Sequence, residues 1–344
     1  MANILITNYC NNNCSYCFAK EKVSLHDLAP VDTKQTMSLG DYGRVLQWLK
    51  KSRAVKSDVV KLLGGEPTLH PQFIEFVSLA LDEGFTVQVF SNGMIPAQHL
   101  ERLESVLIDK VKFLLNTNER QHYSANKLEA MEQTWALLGQ RASLGFNIVS
   151  PDFDLSFHEE IILRHDLHRS LRLGLAVPLI GKRNQHLPRE EYRQTGSRIV
   201  EWARRLEKND ILLSLDCGFT MCMFTPEEHG ELTLKTRGFK SICQPIIDVG
   251  TDLSVWSCFP LSTALTFHLD DGLSLEEMID RFEQAYRPFK QMGIHPECMG
   301  CEYLAREQCR GGCLGYTLTD FATGGDAHFL ERFKRSNVRL GKSC

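Results

Sequence analysis

Two hydrophobic periods alternate along the first two-thirds of the chain, and this alternation restricts the possible folds more than any other feature. Apolar runs at 3–7, 59–63, 86–90, 111–115, 145–149 and 171–177 have the length of strands. Near-continuous apolar runs belong to strands covered on both faces, the usual condition of a parallel sheet. Helical stripes lie between them. Ser38 caps one helix with Asp41 at N3, and Tyr42, Val45, Leu46 and Leu49 share a face. Pro71 opens a second, whose stripe is Phe73, Phe76, Val77, Ala80 and Leu81 and whose stop is Gly84. Others are expected over 96–107, around Leu128, Met131, Trp135 and Leu138, near 158–168, and from Pro188 through Tyr192, Ile199, Val200, Ala203 and Leu206. Trp48, Trp135 and Phe76 fall in such stripes as core residues. Six strand–helix units in succession imply a parallel sheet with helices outside. Right-handed crossovers would curl it into a barrel or an open part-barrel, since six units fall short of eight-fold closure.

The rhythm stops near residue 207, after which come nine of the twelve cysteines: Cys217, Cys222, Cys243, Cys258, Cys298, Cys301, Cys309, Cys313 and Cys344. Residues 211–215 read as a seventh strand, and Ser274 with Glu277 boxes a helix carrying Met278, Phe282 and Tyr286. The expected division is an α/β unit over 1–207 and a cysteine-rich unit over 208–344, its small core held by metal centres. A net charge of −4 with 24% charged residues shows no basic excess for nucleic acid. No stretch is long and apolar enough to span a membrane, and the first residues lack a secretory signal. Without export, the cysteines point to ligation rather than disulfides, in a reducing and cytoplasmic compartment.

Cys10, Cys14 and Cys17 follow the first strand directly. A cubane iron–sulfur cluster takes four thiolates, so three in close spacing leave one iron open to a ligand. The alternatives are a zinc knuckle or three buried thiols, but the nearest histidine, His26, is poorly placed to close a zinc site. Two more polar turns follow the next strands: Gly64-Gly65-Glu66-Pro67, then Ser91-Asn92-Gly93. Working residues of parallel α/β folds gather at the carboxyl ends of strands, so all three stand around one mouth. The two glycines would admit close backbone approach and Glu66 supplies a carboxylate. Taken alone, each turn also reads as a plain strand–helix connection.

Cys10, Cys14, Tyr16 and Cys17 resemble the CxxxCxΦC signature of the radical S-adenosylmethionine (SAM) enzymes. The resemblance implies a six-unit partial (β/α)6, TIM-like barrel and a [4Fe–4S] cluster on the three cysteines. SAM would bind the fourth iron and be cleaved reductively, and the radical formed would take a hydrogen atom from substrate. Tyr16 would lie near the adenine, and Gly64, Gly65 and Glu66 match the family's GGE motif for the SAM amino group. Ser91 and Asn92 are similar to a Thr-Asn-Gly often found near SAM. Asn116 and Thr117 are in place to meet the SAM ribose or carboxylate, or are a polar strand end.

As a bare pattern, Cys298-x2-Cys301-x7-Cys309-x3-Cys313 could be a four-cysteine zinc site. Beside the first motif it resembles the SPASM extension, which holds auxiliary [4Fe–4S] clusters. Cys243 and Cys258 match its leading pair, and Cys344 its last ligand. The resemblance implies one cluster on Cys243, Cys258 and Cys313, with Cys222 or Cys217 available, and another on Cys298, Cys301, Cys309 and Cys344. Gly300, Gly311 and Gly312 would relieve backbone strain near the sulfurs. The chain departs from the pattern in its long third gap, in Leu253 where glycine is frequent, and in a terminal Cys344. Asp216 is a candidate general base and Cys217 a candidate hydrogen donor, against a polar strand end and a buried thiol. His158, His165 and His168 read as a surface helix.

The implied activity is modification of a peptide or protein: crosslinking, epimerisation or oxidation. A small metabolite is the alternative substrate, and an iron–sulfur electron carrier or a zinc-stabilised binding protein the alternative class. An electron donor such as flavodoxin or ferredoxin is implied. Because the sequence starts almost at the first strand, a peptide substrate is expected to need a separate leader-peptide recognition protein or to dock directly in the barrel mouth.

Overall fold

The computed structural model describes residues 2–20, 22–25, 35–52, 58–181, 184–236, 241, 246–324 and 328–339. His26, Cys243 and Cys344 lie outside them. Ten strands form one sheet: β1 Ala2–Thr7, β2 Val59–Gly64, β3 Thr86–Ser91, β4 Val111–Asn116, β5 Ala142–Ile148, β6 Ser170–Leu175, β7 Leu212–Leu215, β8 Ile247–Val249, β9 Ser254–Ser257 and β10 Thr266–His268. Their order is β10-β9-β8-β1-β2-β3-β4-β5-β6-β7. Every pairing from β8 across to β7 is parallel, and β9 and β10 add on antiparallel. The fold is therefore α/β around a largely parallel sheet.

The helices are α1 Leu39–Lys51, α2 Phe73–Asp82, α3 Ala97–Leu103, α4 Ala125–Leu138, α5 Ser156–Arg164, α6 Tyr192–Glu207, α7 Pro226–Lys235, α8 Leu275–Lys290, α9 Glu302–Ala305, α10 Leu314–Thr323 and α11 Phe329–Arg339. Ser38 caps α1, accepting from Asp41 N at 3.0 Å. The expected stripes of α1, α2, α4 and α6 are buried, except that Leu81 and Leu128 are only partly covered. Trp135 and Phe76 are fully buried and Trp48 partly so.

The sheet departs from the expected burial on both faces. One face is apolar and meets the helices through Ile4, Ile6, Val60, Leu62, Val87, Val89 and Leu144. The other carries Lys61, Gln88, Asn116, Asn147 and Arg172, all half-buried. Period-2 alternation explains it, because every second residue of each run turns away from the helices. A second departure concerns the chain after 207. β7 pairs with β6, while β8 pairs with β1 through Ala2↔Ile247, Asn3↔Asp248 and Ile4↔Val249. Residues on both sides of 207 thus share one sheet. His158 is a third: it lies in the core against Phe146, not on a surface helix, and burial pushes its pKa down to about 4.

Candidate functional site

The cysteine loop is fastened to its neighbours by backbone and by one carboxylate. After β1, Tyr9–Cys10 pairs in parallel with Ser24–Leu25. Gly65 N donates to Thr7 O at 2.9 Å and Glu66 N to Tyr9 O at 2.7 Å. A Cβ on Gly64 would stand 2.5 Å from Thr7 O, and one on Gly65 2.4 Å from Tyr9 O. Only glycine permits that approach. Glu66 is fully buried. Its Oε1 accepts from Thr68 N, Thr68 Oγ1 and Ser91 Oγ at 3.2, 2.7 and 2.8 Å, and its Oε2 from Asn92 N at 2.7 Å. Burial raises its pKa and these donors pull it back. Asn92 Nδ2 continues to Asn11 Oδ1 at 2.8 Å and lies 4.0 Å from Cys10 Sγ. One side chain therefore ties together the turns after β2 and β3, and Asn92 carries the tie to the cysteines.

Cys10 is buried, and Cys14 and Cys17 are half-buried. Burial pushes Cys10 up to about 12 and Cys17 up to about 11, and raises Cys14 as well. Thiols in such surroundings hold their protons unless a metal supplies positive charge. Donors already approach the sulfurs: Asn12 N to Cys10 and Asn12 Nδ2 to Cys14, each at 3.4 Å. Tyr16 donates to Asn118 Oδ1 at 2.6 Å, and the Tyr123 hydroxyl accepts from Asn118 N at 2.7 Å.

On the polar face, Asn116 Oδ1 sits where a Cβ on Gly145 would be 2.8 Å away, and Asn147 Oδ1 repeats this over Gly174 at 2.6 Å. The two glycines make room for two amides. Asp216 pairs with Arg172 and is half-buried, whereas Cys217 is exposed. Asn3 Nδ2 donates to Asp248 Oδ1 at 2.5 Å, and burial pushes Asp248 up to about 7.

None of the ten described cysteines is in a disulfide. Cys258 takes φ +70° and lines one cavity with Cys313, Pro260, Phe282, Tyr286 and Leu314. Leu253 takes φ +61°, so the backbone adopts here the conformation that favours the glycine it lacks. Cys222 is exposed, and its pKa is raised by burial of the thiol and by nearby Cys309 and Cys298. That places it beside the second cysteine set rather than the first. Gly311 N approaches Cys309 Sγ and Gly315 N approaches Cys313 Sγ, each at 3.4 Å, and Gly311 and Gly312 have positive φ. Gly300 has no positive φ, and a Cβ there would meet nothing within 4 Å, so strain relief is not its role. Among the described residues, no three Cys, His, Asp or Glu side chains converge on a single ion position.

The sequence alone does not single out Thr68, Asn11, Asn118, Asn147, Lys61 or Arg172. Their signal is present all the same: polar residues at alternate positions inside strand runs, and asparagines just past strand ends.

Residues 4–150 match the radical SAM superfamily. An S-adenosylmethionine-dependent nucleotide dehydratase of Selenomonas ruminantium is 34% identical over 93 residues, covering 27% of this chain and 30% of that protein. The chain spans only 17–34% of the length of the first three curated relatives it matches. Native anSMEcpe with bound AdoMet aligns at a TM-score of 0.62 with 16% identity, over 99% of this chain and 100% of that one. Streptococcus suis SuiB bound to precursor peptide SuiA aligns at 0.59 with 13% identity, over 91% and 71%. At these identities the likeness is one of fold.

Proposed function

We propose that this chain is a radical SAM enzyme that modifies a peptide or protein. The observation that carries the reading is the tie through Glu66, which fixes the cysteine loop, the double-glycine turn and the Ser91–Asn92 turn at the carboxyl ends of β1, β2 and β3. Cys10, Cys14 and Cys17 would hold a [4Fe–4S] cluster, which with SAM supplies one-electron chemistry able to remove hydrogen from an unactivated C–H bond. Gly64 and Gly65 would offer backbone to the SAM amino group. Since the Glu66 carboxylate is occupied by protein donors, it orients the turn instead of reaching the ligand. Tyr16, Ser91, Asn92 and Asn116 would border SAM, and the polar face of the sheet would receive substrate. Asp216 would take a substrate proton on a carboxylate oxygen once Arg172 releases it, and the exposed Cys217 would approach the same space.

Contacts across the polar face support a sheet curled into an open part-barrel. Adjacent strands lie about 4.8 Å apart, so β3 and β6 would be roughly 14 Å apart if flat. Arg172 on β6 nevertheless reaches to 5.3 Å from the Phe90 ring on β3. Residues 208–344 would carry one or two auxiliary clusters on Cys258, Cys313 and Cys243 and on Cys298, Cys301, Cys309 and Cys344, with Cys222 beside the second set. Peptide substrates are supported by structural neighbours solved with a precursor peptide and with the Cp18Cys peptide. A small metabolite is the second reading, supported by the match to a nucleotide dehydratase. A one-electron donor of flavodoxin or ferredoxin type and a separate leader-binding protein complete the proposal.

The test is iron and sulfide content of anaerobically reconstituted protein, with dithionite-driven 5′-deoxyadenosine formation. Wild type is compared with the triple variant Cys10→Ala, Cys14→Ala, Cys17→Ala. We expect the variant to keep part of its iron and form no 5′-deoxyadenosine. A wild type that holds iron and never cleaves SAM is an electron carrier instead.

A further inference from the structure

We propose that Lys61 and Arg172, both lying over the ring of Phe90, form an oxyanion site that selects substrates carrying a carboxylate or a phosphate. This deepens the proposed function by naming the charge of the substrate, and it rests on the polar face being the substrate face. Lys61 lies on β2 and Arg172 on β6, with three strands between them in the sheet. Yet Lys61 Nζ is 5.2 Å and Arg172 Cζ 5.3 Å from the centre of the same ring. Both cations are half-buried. Like charges brought together out of bulk water repel, and an anion between them removes that cost.

Their partners are unequal. Arg172 has Asp216. Lys61 has no carboxylate at ion-pair distance among the described residues, and Asp216 and Asp248 act on it only from farther off. Burial, and then Arg172, lower its pKa. An ammonium resting on a ring face keeps its donors available. The guanidinium adds a planar fork that suits either oxyanion. Phe90 offers an apolar platform beside both, so the ligand joins an apolar part to an anionic end.

Amine acylation read by mass spectrometry tests the site on the reconstituted enzyme with SAM. The probes are inorganic triphosphate and triglutamate. We expect at least one probe to slow acylation of Lys61 by about fivefold or more, and neither to slow that of exposed Lys208. Protection by triphosphate alone assigns the site to a phosphate source, and protection by triglutamate alone to a peptide carboxylate. Arg172→Gln should abolish protection, Arg172→Lys should keep part of it, and Asp216→Asn, which removes a competing carboxylate, should strengthen it several-fold. No protection by either probe at millimolar concentration, or protection that survives Arg172→Gln in a variant with wild-type circular dichroism, overturns the site. Acylation does not depend on SAM cleavage, so protein that is protected yet forms no 5′-deoxyadenosine keeps the site and fails as an enzyme.

Discussion

Around Cys10, Cys14 and Cys17 the backbone is held by strand ends and a buried carboxylate, while around Cys298, Cys309 and Cys313 it is held by close-packed glycines. In the first region Glu66 accepts four hydrogen bonds and draws two turns together, and Asn92 extends the tie to the cysteine loop. In the second, a Cβ on Gly311 would stand 2.4 Å from Gly293 Cα, and one on Gly293 2.5 Å from Cys298 Sγ. Cys298 and Cys301 sit in a short turn and at the start of the four-residue α9. A site built on a sheet keeps its shape through the sheet. A site built on short turns leans on whatever its thiols bind.

The sharpest way to break this contrast is Glu66→Ala. It strands the Ser91 hydroxyl, the Asn92 N–H and both Thr68 donors, each costing about 1–3 kcal/mol when buried without a partner. We expect several kcal/mol lost in chemical denaturation, 5′-deoxyadenosine formation abolished, and the C-terminal share of the iron retained. Loss of iron from both regions alike would show that they are not independent.

The joint between the regions is Asn3 on β1 against Asp248 on β8. Asp248 is raised from 3.8 to about 7 by burial, so the folded chain binds its proton more readily than the unfolded one. Its contribution is complete below the unfolded value and declines as pH rises toward the folded value, by about 1 kcal/mol per pH unit. Denaturation midpoints measured from pH 4 to 7 should fall with pH, and Asp248→Asn should flatten that slope. A slope unchanged in the variant would place the titration elsewhere.

Smaller effects separate the regions by single methyl groups. Gly65→Ala meets Tyr9 O and should remove SAM cleavage while leaving C-terminal iron in place. Gly293→Ala, at φ +75°, should lower C-terminal iron while leaving the N-terminal cluster in place. Each should cost about 1–3 kcal/mol. Gly300→Ala, with open space around it, should stay within about 0.5 kcal/mol of wild type. Iron assays and melting curves on the three variants decide the matter.

The first seven strands are legible in the sequence because each holds four or more residues of apolar or alternating pattern. β8 and β10 hold three residues apiece, too few for a period to register, so the end of the sheet beyond β1 is invisible there. The helix near 158–168 reads with its polar side outward because a histidine counts as polar, yet a neutral His158 imidazole against Phe146 packs as an aromatic. The cysteine, double-glycine and Ser91–Asn92 motifs are legible as short local strings. What binds them together is not, since the link from Glu66 to Ser91 spans 25 residues and a carboxylate shows no sign of its partners in sequence. Arg172 and Lys61 are hidden for the same reason, being joined only through the fold.

The pairing of β1 with β8 has a consequence for how the protein is made. β1 finds its first neighbour, β2, at residue 59, but its second only when residues 247–249 have been synthesised. At the pace of a ribosome that interval is on the order of tens of seconds. Throughout it, one edge of β1 stands uncovered, a few residues upstream of three thiols. Nascent chains stalled before residue 247 should therefore be the ones that chaperones hold, and those released after it the ones that no longer need them.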